Sequence, residues 1–96
     1  MRNQTQPYAN LYAKTLLDYV HESDVEKFKT DAKETQPGVF VRYREAGTVT
    51  IRMTIDFNEE IVTADAFLGS DFSTATHSFD EYEAPGDDAP TYVPVA

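Results

Sequence analysis

T-V-T-I-R-M-T-I-D-F, residues 48–57, places an apolar side chain at every second position. Val49, Ile51, Met53, Ile55 and Phe57 fall on one side of an extended backbone, and Thr48, Thr50, Arg52, Thr54 and Asp56 on the other. Strict alternation rich in β-branched residues is the pattern of a strand with one buried and one wet face. Such a strand needs partners on both edges, so the stretch is read as the centre of a small antiparallel sheet.

The faces of its neighbours follow from matching apolar with apolar. Upstream, Val39, Val41 and Tyr43 alternate with Phe40, Arg42 and Arg44. A three-residue Glu45-Ala46-Gly47 loop, with glycine in the left-handed conformation, sets Tyr43 opposite Val49 and Val41 opposite Ile51. A two-residue Ala46-Gly47 loop sets Arg42 opposite Ile51 and mixes the faces, so the longer loop is expected. Downstream, a four-residue loop over 58–61 pairs Phe57 with Val62, Ile55 with Ala64 and Met53 with Ala66. The alanines then leave room for a helix to lie across that strand. Gly69-Ser70-Asp71 reads as the next turn, and residues 72–79 as a weaker fourth strand.

Before Gly38 the period is helical. Ala9, Tyr12, Ala13, Leu16, Leu17 and Val20 recur at three- and four-residue steps, and Pro7 suits a first turn because its missing N–H would be unpaired there. This predicts a helix over 7–21. Ser23 and Glu26 have the spacing of a capping box, which predicts a second helix over 24–35 with an apolar stripe of only Val25, Phe28 and Ala32, stopped by Thr35-Gln36-Pro37-Gly38. The fold class is therefore α+β: two N-terminal helices packed on one face of a three- or four-stranded antiparallel meander. Residues 1–83 form the single domain. Residues 84–96, rich in proline and acid, are expected to be an extended tail.

The chain of 96 residues has no cysteine and a net charge of −9. A domain this small buries only roughly 60–65% of its unfolded surface, which leaves little room for an enclosed active site. Disulfides and thiolate metal sites are unavailable, no stretch has the apolar length of a signal peptide or a membrane helix, and a soluble cytoplasmic protein is expected. Residues 1–48 balance seven basic against seven acidic side chains, whereas residues 49–96 set Arg52 alone against ten acids. That asymmetry argues against direct nucleic-acid binding, which needs clustered lysine and arginine, and suits a protein partner with a basic surface.

No catalytic pattern emerges. Asp56, Asn58 and Glu60 have the spacing of the start of a calcium loop, but Ile61 stands where that loop needs glycine and Phe67 where it needs the bidentate glutamate. Asp18 and His21 lie one helical turn apart without further ligands at metal spacing, and His77 reads as a surface residue. The carboxylate pairs Glu59/Glu60, Asp80/Glu81 and Asp87/Asp88 sit in expected loops and tail, where both members stay ionised. Neither a nucleophile elbow nor a phosphate-binding glycine loop is present. No enzyme, metal or cofactor is expected.

Two surfaces remain. On the expected register Phe40, Arg42, Arg44, Arg52, Ile61 and Phe67 project together from the sheet face away from the helices, and large apolar residues beside arginines are typical of an interface. Alternatively the acidic-aromatic segment folds back, with Phe79 and Tyr82 covering Phe67. The second surface is acidic: Glu59, Glu60, Asp80, Glu81, Glu83, Asp87 and Asp88. The expected function is that of a small non-catalytic binding protein, such as a phage- or mobile-element-type inhibitor occupying a basic surface of a nucleic-acid-binding host protein. The alternatives are a structural or virion subunit forming a homo-oligomer through its sheet face or C-terminal arm, and a ligand site between helices and sheet.

Overall fold

The alternating stretch forms the middle strand of a five-stranded antiparallel meander in the computed structural model, which describes residues 4–22 and 24–82. The elements are α1 (Gln6–His21), α2 (Val25–Thr30), β1 (Lys33–Gln36), β2 (Val39–Ala46), β3 (Val49–Asp56), β4 (Ile61–Leu68), β5 (Asp71–Ser78) and a closing 3-10 turn (Phe79–Glu81). The strands lie in chain order. Along β3, buried residues alternate with half-buried ones from end to end. Val49, Ile51, Met53 and Ile55 face the helices and meet Leu16, Leu17 and Phe28 in one core.

α1 lies across β4 and β5 because both surfaces are lined by small residues there. Ala9 and Ala13 on the helix, and Ala64 and Ala66 on β4, are all fully buried, so the helix axis can approach the sheet closely. Its start is fixed to β5 through a buried hydrogen bond between the Thr5 and Ser73 hydroxyls at 2.6 Å. Among the described residues no helix is long and apolar enough to cross a membrane.

The second helix is far shorter than its sequence pattern predicts. It ends at Thr30, and Lys33–Gln36 pairs with β2 as an edge strand exposed along its whole length. A single buried anchor, Phe28, cannot hold a longer helix on the sheet, and helices this short are marginal without tertiary packing. A short, polar edge strand is also a poor template for unwanted pairing. Asp24 stands at the helix N-cap without a side-chain bond, and Ser23, the expected cap, lies outside the described residues. Pro37-Gly38 is not a helix stop but the turn of the β1–β2 hairpin, Gly38 having φ +85°, as the third position of a type II turn demands.

The β2–β3 register corrects the expected one. The turn is the two-residue pair Gly47-Thr48, so Ala46 faces Val49, Arg44 faces Ile51 and Arg42 faces Met53. Phe40, Arg42 and Arg44 therefore share the helix side with the apolar face of β3. Their arginines fit there because long stems lie along apolar surface while the charged heads reach outward over aromatic rings. The Arg42 guanidinium lies 5.9 Å from the Phe28 ring centroid and that of Arg44 5.9 Å from Tyr12. Arg42 also meets Asp31 at 3.6 Å. The β3–β4 register is two residues from the expected one, with Met53 opposite Ala64 and Ile55 opposite Val62. A shift of two conserves the faces, which is why the place of the alanines under α1 was foreseeable.

Two loops are stapled at one end of the sheet. The Asp56 carboxylate accepts from the amides of Asn58 and Glu59 at 2.9 and 3.0 Å, and Asn58 Nδ2 donates to the Pro37 carbonyl at 2.8 Å. These side chains thus serve the turn, and among the described residues no cluster of three potential metal ligands forms. A Cβ on Gly38 would stand 2.8 Å from Asn58 Oδ1. Gly38→Ala is therefore expected to combine left-handed backbone strain with loss of the Asn58 staple, costing about 2 kcal/mol, a Tm drop of roughly 8–16 °C in a domain of this size. A thermal melt within about 2 °C of the wild type would show that the staple contributes little.

Candidate functional site

The expected sheet-face set is divided by the register. Phe40, Arg42 and Arg44 lie on the helix side: Phe40 packs edge-to-face on Phe57 at 6.0 Å, under Lys29 Nζ at 4.8 Å. Arg52, Ile61 and Phe67 project from the outer face. There they are joined by residues the sequence reading placed on the other side or left aside: Val41, Tyr43, Asp65 and Phe72.

At the centre of the outer face Arg52 Nε donates to Asp65 Oδ2 at 3.1 Å, with the carboxylate nearly buried. Hydrogen bonding to Tyr43 first, and to Asp65 second, holds the guanidinium above its ordinary pKa against the opposing effect of burial. The same guanidinium lies 5.3 Å from the Phe67 ring, and Phe67 packs on Phe72 with centroids 5.0 Å apart. Tyr43 is 61% exposed and Phe72 51%, an unusual degree for large side chains on ordered strands. Beside this ridge, toward β1, lies a groove of about 910 Å³ lined by Val39, Val41, Tyr43, Arg52, Thr54 and Thr63 among others. Tyr43 and Val41 could have been placed from the sequence only by reading Gly47-Thr48 as the turn.

The acidic residues are brought together at the opposite end of the chain's path. The Phe79 amide donates to the Glu60 carbonyl at 2.9 Å, which sets the 3-10 turn against the β3–β4 loop. Glu59, Glu60 and Asp80 consequently line one depression with His21, while Glu81 lines a neighbouring one with Asp18, Lys14 and His77. Glu22 lies next to them, accepting from the Tyr82 hydroxyl at 2.7 Å. Among the described residues no cation pairs with Glu59, Glu60 or Asp80. Glu83, Asp87 and Asp88 lie outside the described residues, as does the expected tail over 84–96.

The two histidines hold this end in shape. His21 Nε2 bonds to the Phe79 carbonyl at 2.5 Å, and its ring stacks on Tyr82 at 4.4 Å. His77 Nδ1 meets Glu81 at 2.8 Å, and the Ser78 amide donates to the same carboxylate, completing a capping box. Phe79 and Tyr82 therefore pack at the end of α1, and not over Phe67. The Ser78 amide first and His77 second hold the Glu81 carboxyl below its ordinary pKa. That stabilisation is complete above the ordinary carboxylate range and is lost as pH falls through the lowered value. Asp18 shows the reverse: burial, then the charge of Glu22, raises its pKa.

The geometry offers two surfaces, the outer face of the sheet and the acidic end. Ser78 Oγ donates to Asp80 Oδ1 at 2.5 Å and to Glu81 Oε2 at 3.3 Å, contacts that belong to the cap of the 3-10 turn. Set against family models, curated proteins and solved structures, the chain matches none of them.

Proposed function

We propose that the protein is a non-catalytic binding protein that docks its acidic end on a basic surface of a partner protein, one of the type that otherwise grips a nucleic-acid backbone, and so acts as an inhibitor. What supports this reading is a gathering of carboxylates that works against stability. Asp18 of α1 and Glu22 at its C-cap, Glu59 and Glu60 of the β3–β4 loop, and Asp80 and Glu81 of the 3-10 turn come from three segments far apart in sequence and share one end of the molecule. Like charges held close repel; the Asp18 pKa is raised first by burial and second by the neighbouring charge of Glu22. Charge carried for solubility alone has no reason to be concentrated.

Glu60 adds a second cost. It has φ +59°, a conformation that favours glycine and that strains a side chain by about 1 kcal/mol. Glu60→Gly should therefore leave the stability within about 0.5 kcal/mol of the wild type, relief of the strain being offset by the greater freedom of glycine in the unfolded chain, while weakening partner binding. A variant that binds as well as the wild type removes Glu60 from the interface.

The test of the whole reading uses a partner recovered by pull-down and measured by association kinetics. Attraction between opposite charges is screened as the Debye length falls from about 10 Å at 0.1 M salt to about 3 Å at 1 M. Association should slow steeply with salt, and Glu59→Gln, Glu60→Gln and Asp80→Asn together should slow it at low salt without lowering Tm. Salt-independent binding that survives the three neutralisations overturns the proposal. A second reading, a structural subunit that self-associates, is favoured by the uncovered outer face of the sheet.

A further inference from the structure

Both helices pack on one side of the sheet, so the outer face carries no layer of its own among the described residues. In cross-strand rows it presents Glu45-Thr50-Phe67-Phe72, Tyr43-Arg52-Asp65-Thr74, Val41-Thr54-Thr63-Thr76 and Val39-Asp56-Ile61-Ser78. We propose that two copies of this chain pack outer face on outer face, the Phe67/Phe72 ridge of each seated in the groove beside Val41 and Tyr43 of the other.

Three features select a second copy as the occupant. The first is shape. The aromatic ridge stands at one corner of the face, on β4 and β5, and the groove runs from Thr63 and Asp65 of β4 across β3 to β1, its Lys33, Val39 and Val41 end diagonally opposite the ridge. A two-fold axis lying between the sheets along the other diagonal carries each ridge onto the partner's groove, which is the self-complementarity an isologous dimer requires.

The second is charge. The centre of the face holds threonines, Tyr43 and one closed ion pair, Arg52 with Asp65, whereas Lys33, Glu45 and Asp56 stand toward the rim. Two bases against three acids give this face a formal charge of −1 out of −9 for the chain, so a second copy meets little repulsion across it. The charges at the centre neutralise each other, and the rest of that region is threonine, Val41 and Tyr43. A basic partner would be drawn instead to the acidic end.

The third is area. Four strands of eight residues each, about 4.8 Å apart with a rise of about 3.4 Å per residue, form a panel on the order of 500 Å² before side-chain relief is counted. Two panels bury roughly 1,000 Å² or more, at the lower end for a specific interface, with the sheets about 10 Å apart as in a β-sandwich. The dimer is thus expected to dissociate in the micromolar range. It uses a different surface from the acidic end, so either proposal can fail alone.

Sedimentation velocity from low to high micromolar protein should show the mass rising from 10.8 kDa to twice that value. Added salt should tighten the dimer, because two chains of charge −9 repel at long range; this is the opposite of the salt effect expected for a basic partner. Phe72→Lys and Tyr43→Lys, at positions exposed in the single chain, should leave the chain folded and weaken the dimer by roughly tenfold or more, although each lowers the net repulsion. Val41→Cys with Phe72→Cys, in a chain without cysteine, should give a disulfide-linked dimer on oxidation. A monomer at all concentrations overturns the proposal. So does a dimer that both lysine variants leave intact, which would put the contact on an edge strand or on residues 83–96.

Discussion

Ile51→Asp is expected to leave the protein unfolded at room temperature. Ile51 is 0% exposed, in the middle of the middle strand, with Arg44 and Ala66 as its cross-strand neighbours and the helix layer above. A carboxylate there either stays charged in an apolar core or takes up a proton, and each route costs several kcal/mol, of order 4 or more. Loss of the isoleucine's own packing adds about 2–4 kcal/mol. A domain of this length has roughly 5–14 kcal/mol in all, and the thin core of a small one puts it toward the lower figure. Circular dichroism should show loss of the cooperative melt. Ile51→Val, which removes one methylene, should cost only about 1 kcal/mol and separates burial of charge from loss of volume. A melt of Ile51→Asp within a few degrees of the wild type would mean that β3 is not the centre of the core.

β3 was legible because its two faces differ completely, so that only registers of one parity bury the apolar set. β2 was not, because both of its faces are amphipathic. Val41 and Tyr43 form one and Phe40, Arg42 and Arg44 the other; matching apolar with apolar chose the first for the core. What the rule omits is that an arginine stem can lie against Phe28 or Tyr12 at the margin of the helix layer and leave its charge in water. The hairpin turn was the better signal, since Gly47-Thr48 makes a tight two-residue connection and Gly47 has φ +65°. Pro37-Gly38 misled in the same way: it ends a helix or makes a type II turn, and only the pairing of Lys33–Gln36 with β2 decides between them.

The candidate surfaces were legible in kind and not in arrangement. That the second half of the chain is acidic needs only counting, whereas the approach of Glu59 and Glu60 to Asp80 depends on the Phe79 amide reaching the Glu60 carbonyl. Arg52, Ile61 and Phe67 were assigned to the outer face because a register slip of two conserves parity. Tyr43 and Asp65, the groups that hold Arg52, were not, since one sat on the misassigned strand and the other read as an ordinary solvated acid.

Phe28→Ala should have the next largest effect, and one that is uneven over the molecule. Phe28 is the one buried residue of α2, 0% exposed, and its ring lies 5.4 Å from that of Tyr19. A six-residue helix has no stability of its own in water, so tertiary contact through this side chain decides whether α2 exists. The chain then passes from Asp31 to β1, which is held by β2 alone. Removing the ring forfeits about 3–5 kcal/mol of burial and packing, and also the surface on which the Arg42 guanidinium lies. Full unfolding is expected near physiological temperature if the wild type lies at the lower end of the stability range. Below that temperature, amide exchange should show α2 and β1 open while α1 and β3 to β5 remain protected, because their contacts with one another do not pass through Phe28. Uniform loss of protection over all strands would show that α2 folds as one unit with the sheet, and a Tm change under about 4 °C would show that it does not anchor the edge at all.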